Sequence, residues 1–113
     1  MNKCIIYLID VYTQYGYNAN MIKSFADKET EKIYHQVFSR RLPHDIQKVA
    51  LRKLIMMDNA ACLKDLEIPP ANHLEALVGD KKGLFSIRIN QQYRICFRVD
   101  QNDFFDVEIV DYH

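Results

Sequence analysis

The chain has 113 residues, room for one domain around one core. Hydrophobic residues make up 49% and charged residues 27%, which excludes a disordered tail or a collagen-like fibre. Fifteen basic and 15 acidic side chains give a formal net charge of zero, so overall electrostatic attraction to nucleic acid is excluded. Any anion site must come from where individual arginines point.

A folded chain of this size removes roughly 65% of its extended-state surface from water, so it needs neither disulfide nor metal to hold together. The cysteines at 4, 62 and 96 are odd in number and widely spaced, and they suggest reduced thiols. The histidines at 35, 44, 73 and 113 show no ligand-like clustering, so a metal site is not expected; no cofactor is expected.

Residues 1–20 stand apart. The apolar run Cys4–Ile9 is too short to span a bilayer and is broken by Asp10; no small-residue cleavage site follows. The segment is expected to be an N-terminal extension, either an added strand or the product of a misplaced start, with the working domain at 21–113. The segment Met21–Phe25 is expected to be an edge strand.

Asp27 is a predicted N-cap, and Ile33, Val37 and Phe38 at helical spacing predict an amphipathic helix over 27–39, with Arg40 and Arg41 at its C-terminal end. Pro43 fits the first turn of a second helix, in which Ile46, Val49, Ala50, Leu54 and Met57 form the apolar stripe. Lys48, Arg52 and Lys53 are assigned to its other face. A short helical turn is expected over 60–66, ended by Pro69 and Pro70.

The period then changes to two. Phe85, Ile87 and Ile89 alternate with Ser86, Arg88 and Asn90; Tyr93, Ile95, Phe97 and Val99 alternate with Arg94, Cys96 and Arg98. Asn90–Gln91 forms a turn between them, and the polar stretch 100–103 leads into a third strand, 104–112. The expected fold is α+β: two N-terminal helices on one face of a small antiparallel sheet, with Arg88, Arg94 and Arg98 on the other face.

The string SIRINQQYRICF at 86–97, Gly79–Asp80 with Gly83, the Pro-Pro pair, MIKSF at 21–25 and the terminal VEIVDYH together resemble the HigB branch of the RelE/ParE toxin superfamily. The resemblance covers 21–113. It implies the RelE/ParE-like fold and the toxin of a bacterial type II toxin–antitoxin pair, a cytoplasmic, ribosome-dependent endoribonuclease acting on mRNA. It also implies a helix-turn-helix, HigA-like antitoxin as partner, with operator DNA reached only through that antitoxin and no membrane involved.

RNA carries its own nucleophile in the 2′-hydroxyl, so a metal-independent enzyme needs a proton acceptor, a proton donor and a fixed cation. His113 is the side chain best suited to proton transfer near neutral pH. Asp111 is a second base or an orienter of His113, and Tyr112 a stacking platform or a proton donor. Arg94 is the expected clamp on the scissile phosphate, because its fork meets two oxygens at once. Arg88, Arg98 and Gln92 would extend the RNA track, with Lys81 and Lys82 at its rim.

Registered on Gly79–Asp80, some family members carry a catalytic histidine where this chain has Glu75, a lysine where it has Val78 and an asparagine where it has Gln92. His73, two residues before Glu75, is carried as a candidate for the missing base. Two other functions stay open: a ParE-like inhibitor that binds DNA gyrase without cutting RNA, and an inert module that only binds an antitoxin. The Lys48/Arg52/Lys53 face reads either as a solvated helix face or as one basic surface that an antitoxin could cover.

Overall fold

Asp27 begins the first helix as predicted, its carboxylate accepting from the Thr30 amide at 3.4 Å. The structure, a computed structural model, describes residues 20–81 and 83–112; the predicted arm, save Asn20, lies outside them. Helix α1 spans Lys28–Tyr34 and is shorter than the predicted 27–39. Gln36 turns into the left-handed region at φ 64, and the amides of Gln36 and Val37 bond back to the carbonyls of Ile33 and Lys32. This paired closure is a Schellman cap. It takes Val37 and Phe38 off the helical stripe, and both are exposed where the sequence predicted core. Arg40 and Arg41 therefore lie in a loop beyond the helix end.

Helix α2 spans His44–Asp58, with Pro43 just outside its first turn. Ile46, Ala50, Leu54 and Met57 are buried as their spacing predicts. Lys53 and Asp58 are buried as well, which corrects the placing of Lys53 on the solvent face. The predicted turn at 60–66 is a 3-10 turn over Leu63–Glu67, and a second covers Pro70–Asn72. Cys62 is disulfide-bonded. Spacing along the chain cannot show which thiols meet in space, because pairing requires Cα atoms within about 7 Å, and the expectation of reduced thiols is corrected at Cys62 while Cys96 is in no disulfide.

Four antiparallel strands follow in the order β1-β2-β3-β4: β1 is Glu75–Ala76, β2 Leu84–Arg88, β3 Tyr93–Asp100 and β4 Asp103–Asp111. Asn90 builds the β2–β3 turn, its side-chain oxygen accepting from the amides of Gln92 and Tyr93 at 2.8 and 2.7 Å. Gln101 and Asn102 both have positive φ, the geometry of a two-residue hairpin loop that twists with its strands. Asp106, at φ 55, sits where the β3–β4 register slips between Cys96 and Arg98, as a bulge residue does. The segment 21–26 pairs in parallel with β4 through isolated bridges, Ile22 to Phe104 and Phe25 to Val107, rather than as a continuous edge strand.

The core lies between the helices and one face of the sheet, with Leu54, Met57, Ile87, Ile95, Phe97, Phe104 and Val107 fully buried. Phe97 packs edge-on against Phe104 with ring centroids 5.1 Å apart. Polar ties fix the helices to the strands. The Ile109 amide donates to the Thr30 hydroxyl at 2.9 Å, and Asp58 accepts from the Ile22 amide at 3.0 Å and from the Tyr34 hydroxyl.

Burial, followed by the hydrogen bond to Asp58, pushes the Tyr34 phenol from 10.0 up to about 12. Folded Tyr34 keeps its proton where the unfolded chain has lost it. Its stabilising effect is therefore whole below pH 10.0 and is lost as the pH rises to about 12. Chemical denaturation across that window should show stability falling more steeply in the native chain than in Tyr34→Phe.

Candidate functional site

Arg94 stands in β3 with Arg88 as its cross-strand partner in β2 and Val110 as its partner in β4. Two guanidinium groups directly opposite repel, so this pairing needs compensation. Part of it comes from below. Arg94 Nε donates to the Ser86 hydroxyl at 2.7 Å, and Nη2 donates to the Ser86 carbonyl at 3.2 Å and to the His73 carbonyl. Glu75 Oε1 lies 3.9 Å from Nη2.

The sheet's second face was expected to carry Arg88, Arg94 and Arg98. Arg94 lies there but is only 8% exposed, because the turn over Pro70–Asn72 rests against β2 and ends in the His73 carbonyl that grips it. An arginine has five N–H donors, and those on Nη1 make no hydrogen bond among the described residues. The ring of Tyr112 lies over the guanidinium, with its centroid 5.8 Å from Cζ. Tyr112 is placed by its own amide, which donates to the Gln92 carbonyl at 2.6 Å and carries the β3–β4 ladder one step further.

These residues surround a cleft of about 320 Å³ lined by Glu75, Arg88, Asn90, Gln91, Arg94 and Tyr112. Its chemistry is a pair of guanidinium groups, one carboxylate and one aromatic ring around a space large enough for a nucleotide-sized group. A more apolar groove of about 360 Å³ lies between the end of α1 and the start of α2, lined by Val37, Phe38, His44 and Leu51 among others. It holds no arginine and none of the residues predicted for catalysis or RNA binding, though Lys48 lines it.

Of the predicted residues, the cleft brings together Arg88, Arg94 and Tyr112. Asp111 adjoins it, its carboxylate accepting from Gln92 Nε2 at 3.1 Å. Arg98 does not line it: four residues further along β3, its Nε is 3.3 Å from Asp106 Oδ2 and its guanidinium lies over Phe105 at 4.8 Å. His73 contributes its backbone carbonyl, while its exposed side chain is not among the lining groups. Lys81 closes the 3-10 turn Gly79–Lys81, and Lys82 and His113 lie outside the described residues. Among the described residues no three or more His, Cys, Asp and Glu side chains gather as a metal would require.

Glu75 is the residue that sequence reasoning passed over as a departure from a motif. β1 is only two residues long, but its pairing with β2 sets Glu75 opposite Ser86, beside the arginine that Ser86 holds. The available signal was position: by the resemblance, Glu75 falls where some family members are expected to carry a catalytic histidine.

Residues 23–113 match the family model described as "RelE-like toxin of type II toxin-antitoxin system HigB". The chain belongs to this family of HigB-like toxins. It is 43% identical to Toxin HigB-1 of Vibrio cholerae serotype O1 over 79 residues, covering 69% of this chain and 83% of that one. An uncharacterized protein of Haemophilus influenzae is 40% identical over 63 residues, 56% of this chain and 62% of its own. Among solved structures, the YoeB dimer from Staphylococcus aureus overlays 84% of this chain and 98% of its own at 23% identity and a TM-score of 0.49. A YoeB/ParE toxin from Agrobacterium tumefaciens overlays 81% and 97% at 17% identity and a TM-score of 0.43. A HigB-like toxin is one half of a pair, so an antitoxin is its partner. No helix among the described residues is long and apolar enough to cross a membrane.

Because Ser86 accepts from a buried charged group, Ser86→Ala should lower stability by about 1.5–3 kcal/mol. Urea denaturation of the two proteins measures it.

Proposed function

We propose that this HigB-like toxin is a metal-independent, ribosome-dependent endoribonuclease that cleaves mRNA in the Arg88–Arg94–Tyr112 cleft. The observation that carries the reading is Arg94: a guanidinium fixed on three sides, with Nη1 left for an anion and an aromatic ring above it. Nη1 and Arg88 would hold the scissile phosphate and neutralise the charge that builds on its oxygens as the 2′-hydroxyl attacks. Tyr112 would stack on a splayed base, which fixes the nucleotide in line for that attack.

Proton transfer falls to the carboxylate of Glu75 at the cleft wall and to the chain's last residues. Glu75 takes the 2′-hydroxyl proton, and His113, beside Tyr112 in sequence, returns one to the leaving 5′-oxygen. Asp111 orients that end of the chain. Gln92, which bonds Asp111, supports the same strand end. Lys81, Lys82 and Arg98 serve the longer RNA track rather than the bond that breaks. The setting is the cytoplasm, where translating ribosomes present the mRNA, and a HigA-like helix-turn-helix antitoxin silences the protein and links it to operator DNA. Lys48 and Arg52, exposed on α2, are the basic positions offered to that antitoxin. Residues 21–113 form the working domain, so a chain begun at Met21 keeps the activity.

Induction of the free toxin should arrest growth and leave new mRNA 5′ ends inside translated frames. Arg94→Ala and His113→Ala should abolish both while still binding antitoxin, and Glu75→Gln should slow cleavage about 100-fold or more. Arrest that persists in the Arg94 and His113 variants with transcripts whole and gyrase inhibited would establish a ParE-like action instead. No arrest at all from the native chain would leave an antitoxin-binding module.

A further inference from the structure

Lys53 is a buried cation that the proposed chemistry does not touch. It is 4% exposed, three residues after Ala50 and four before Met57, on the stripe that faces the core. Its Nζ donates to Asn72 Oδ1 at 2.8 Å. Asn72 is fully buried, and its Nδ2 lies 3.0 Å from the Leu66 carbonyl and 3.3 Å from Met56 Sδ. Both ends of the amide are thus engaged.

The next residue is His73. Its backbone is left-handed at φ 42 and ψ 57, its amide donates to the Pro70 carbonyl at 3.1 Å, and its own carbonyl receives Arg94 Nη2. A continuous path of hydrogen bonds and one peptide bond therefore runs from the middle of α2 to the guanidinium in the cleft.

We propose that Lys53 and Asn72 are positioning residues of the cleft: together they fix the turn whose His73 carbonyl holds the Arg94 guanidinium with Nη1 turned to the phosphate. This rests on the cleft being the site of RNA cleavage. Stability alone does not account for Lys53. Stripping an ammonium of water is costly, and an apolar side chain of similar volume is often the more stable choice. Burial foremost, and then the guanidinium groups of Arg52, Arg88 and Arg94, lower the Lys53 pKa. Its partner Asn72 is a neutral amide, so the bond between them fixes the turn without an ion pair.

The test uses the full chain and four variants: Lys53→Met, Lys53→Arg, Asn72→Ser and Arg94→Ala. Translation-coupled cleavage of an mRNA gives kcat and KM, and the exchange rate of the Arg94 Nε proton by NMR reports whether the guanidinium is still held. Lys53→Met should stay folded, lose about 10- to 100-fold in kcat with little change in KM, and exchange the Arg94 Nε proton faster. Lys53→Arg, which keeps a donor for Asn72, should recover most of both. Asn72→Ser breaks the same path from its other end and carries the test if Lys53→Met does not fold. Native kcat and native Nε exchange in either folded variant, with Arg94→Ala inactive, would overturn the inference while leaving the cleft reading intact. If Arg94→Ala still cleaves at the native rate, the cleft reading fails, and the Nε exchange alone decides whether Lys53 places Arg94.

Discussion

A charged group kept out of water must be hydrogen-bonded on almost every side, and Arg94 is where this protein meets that demand. Ser86 supplies a hydroxyl and a carbonyl from the neighbouring strand, and His73 supplies a carbonyl from a turn. Strand and turn reach the arginine by different routes. Ser86 is in place because β2 and β3 pair in one register, and a slip of one residue would turn it to the other face. The His73 carbonyl is in place because two 3-10 turns bring the chain back from α2 across the face of β2. Arg88 then faces the fixed group across the β2–β3 pair, Glu75 through the β1–β2 pair, and Tyr112 through its amide bond to the Gln92 carbonyl.

The helical layer contributes in two ways. Its apolar stripe closes the core against Ile87, Ile95 and Phe97, and that burial supplies the main favourable term for folding. Its buried polar residues act as connectors: Asp58 joins α2 to the chain at Ile22 and to α1 at Tyr34, and Lys53 joins α2 to Asn72. A core made only of hydrocarbon would hold the sheet without fixing what lies on its far face. The polar connectors carry the position of α2 through to the cleft.

The sheet was legible because strands write their faces with a period of two, and Phe85–Ile89 and Tyr93–Val99 keep that period closely. Helix α2 was legible for the same reason at a period of three and four. Helix α1 was overextended because its cap is Gln36 at positive φ, a position that glycine or asparagine usually marks. Lys53 was misplaced because its charge outweighed its position, although its spacing from Ala50 and Met57 put it on the buried stripe. Its partner is 19 residues away, and no local pattern announces such a bond. The arginines were found, but the burial of Arg94 was not, since it depends on a turn folded over the sheet from elsewhere in the chain. Arg98 was grouped with the cleft by alternation alone, whereas in the structure it pairs with Asp106 at a bulge that no residue type signals.

RNA cleavage in the cleft depends on a phosphate meeting Arg94. A crystal structure of the toxin with a short RNA blocked by a 2′-O-methyl group at the cleavage position tests this. One phosphate is expected within hydrogen-bond distance of Arg94 Nη1, with the adjoining base against the Tyr112 ring and the Ser86 and His73 contacts to Arg94 unchanged. An RNA seated elsewhere on the surface, with the cleft empty and Arg94 still capped from below, would contradict it.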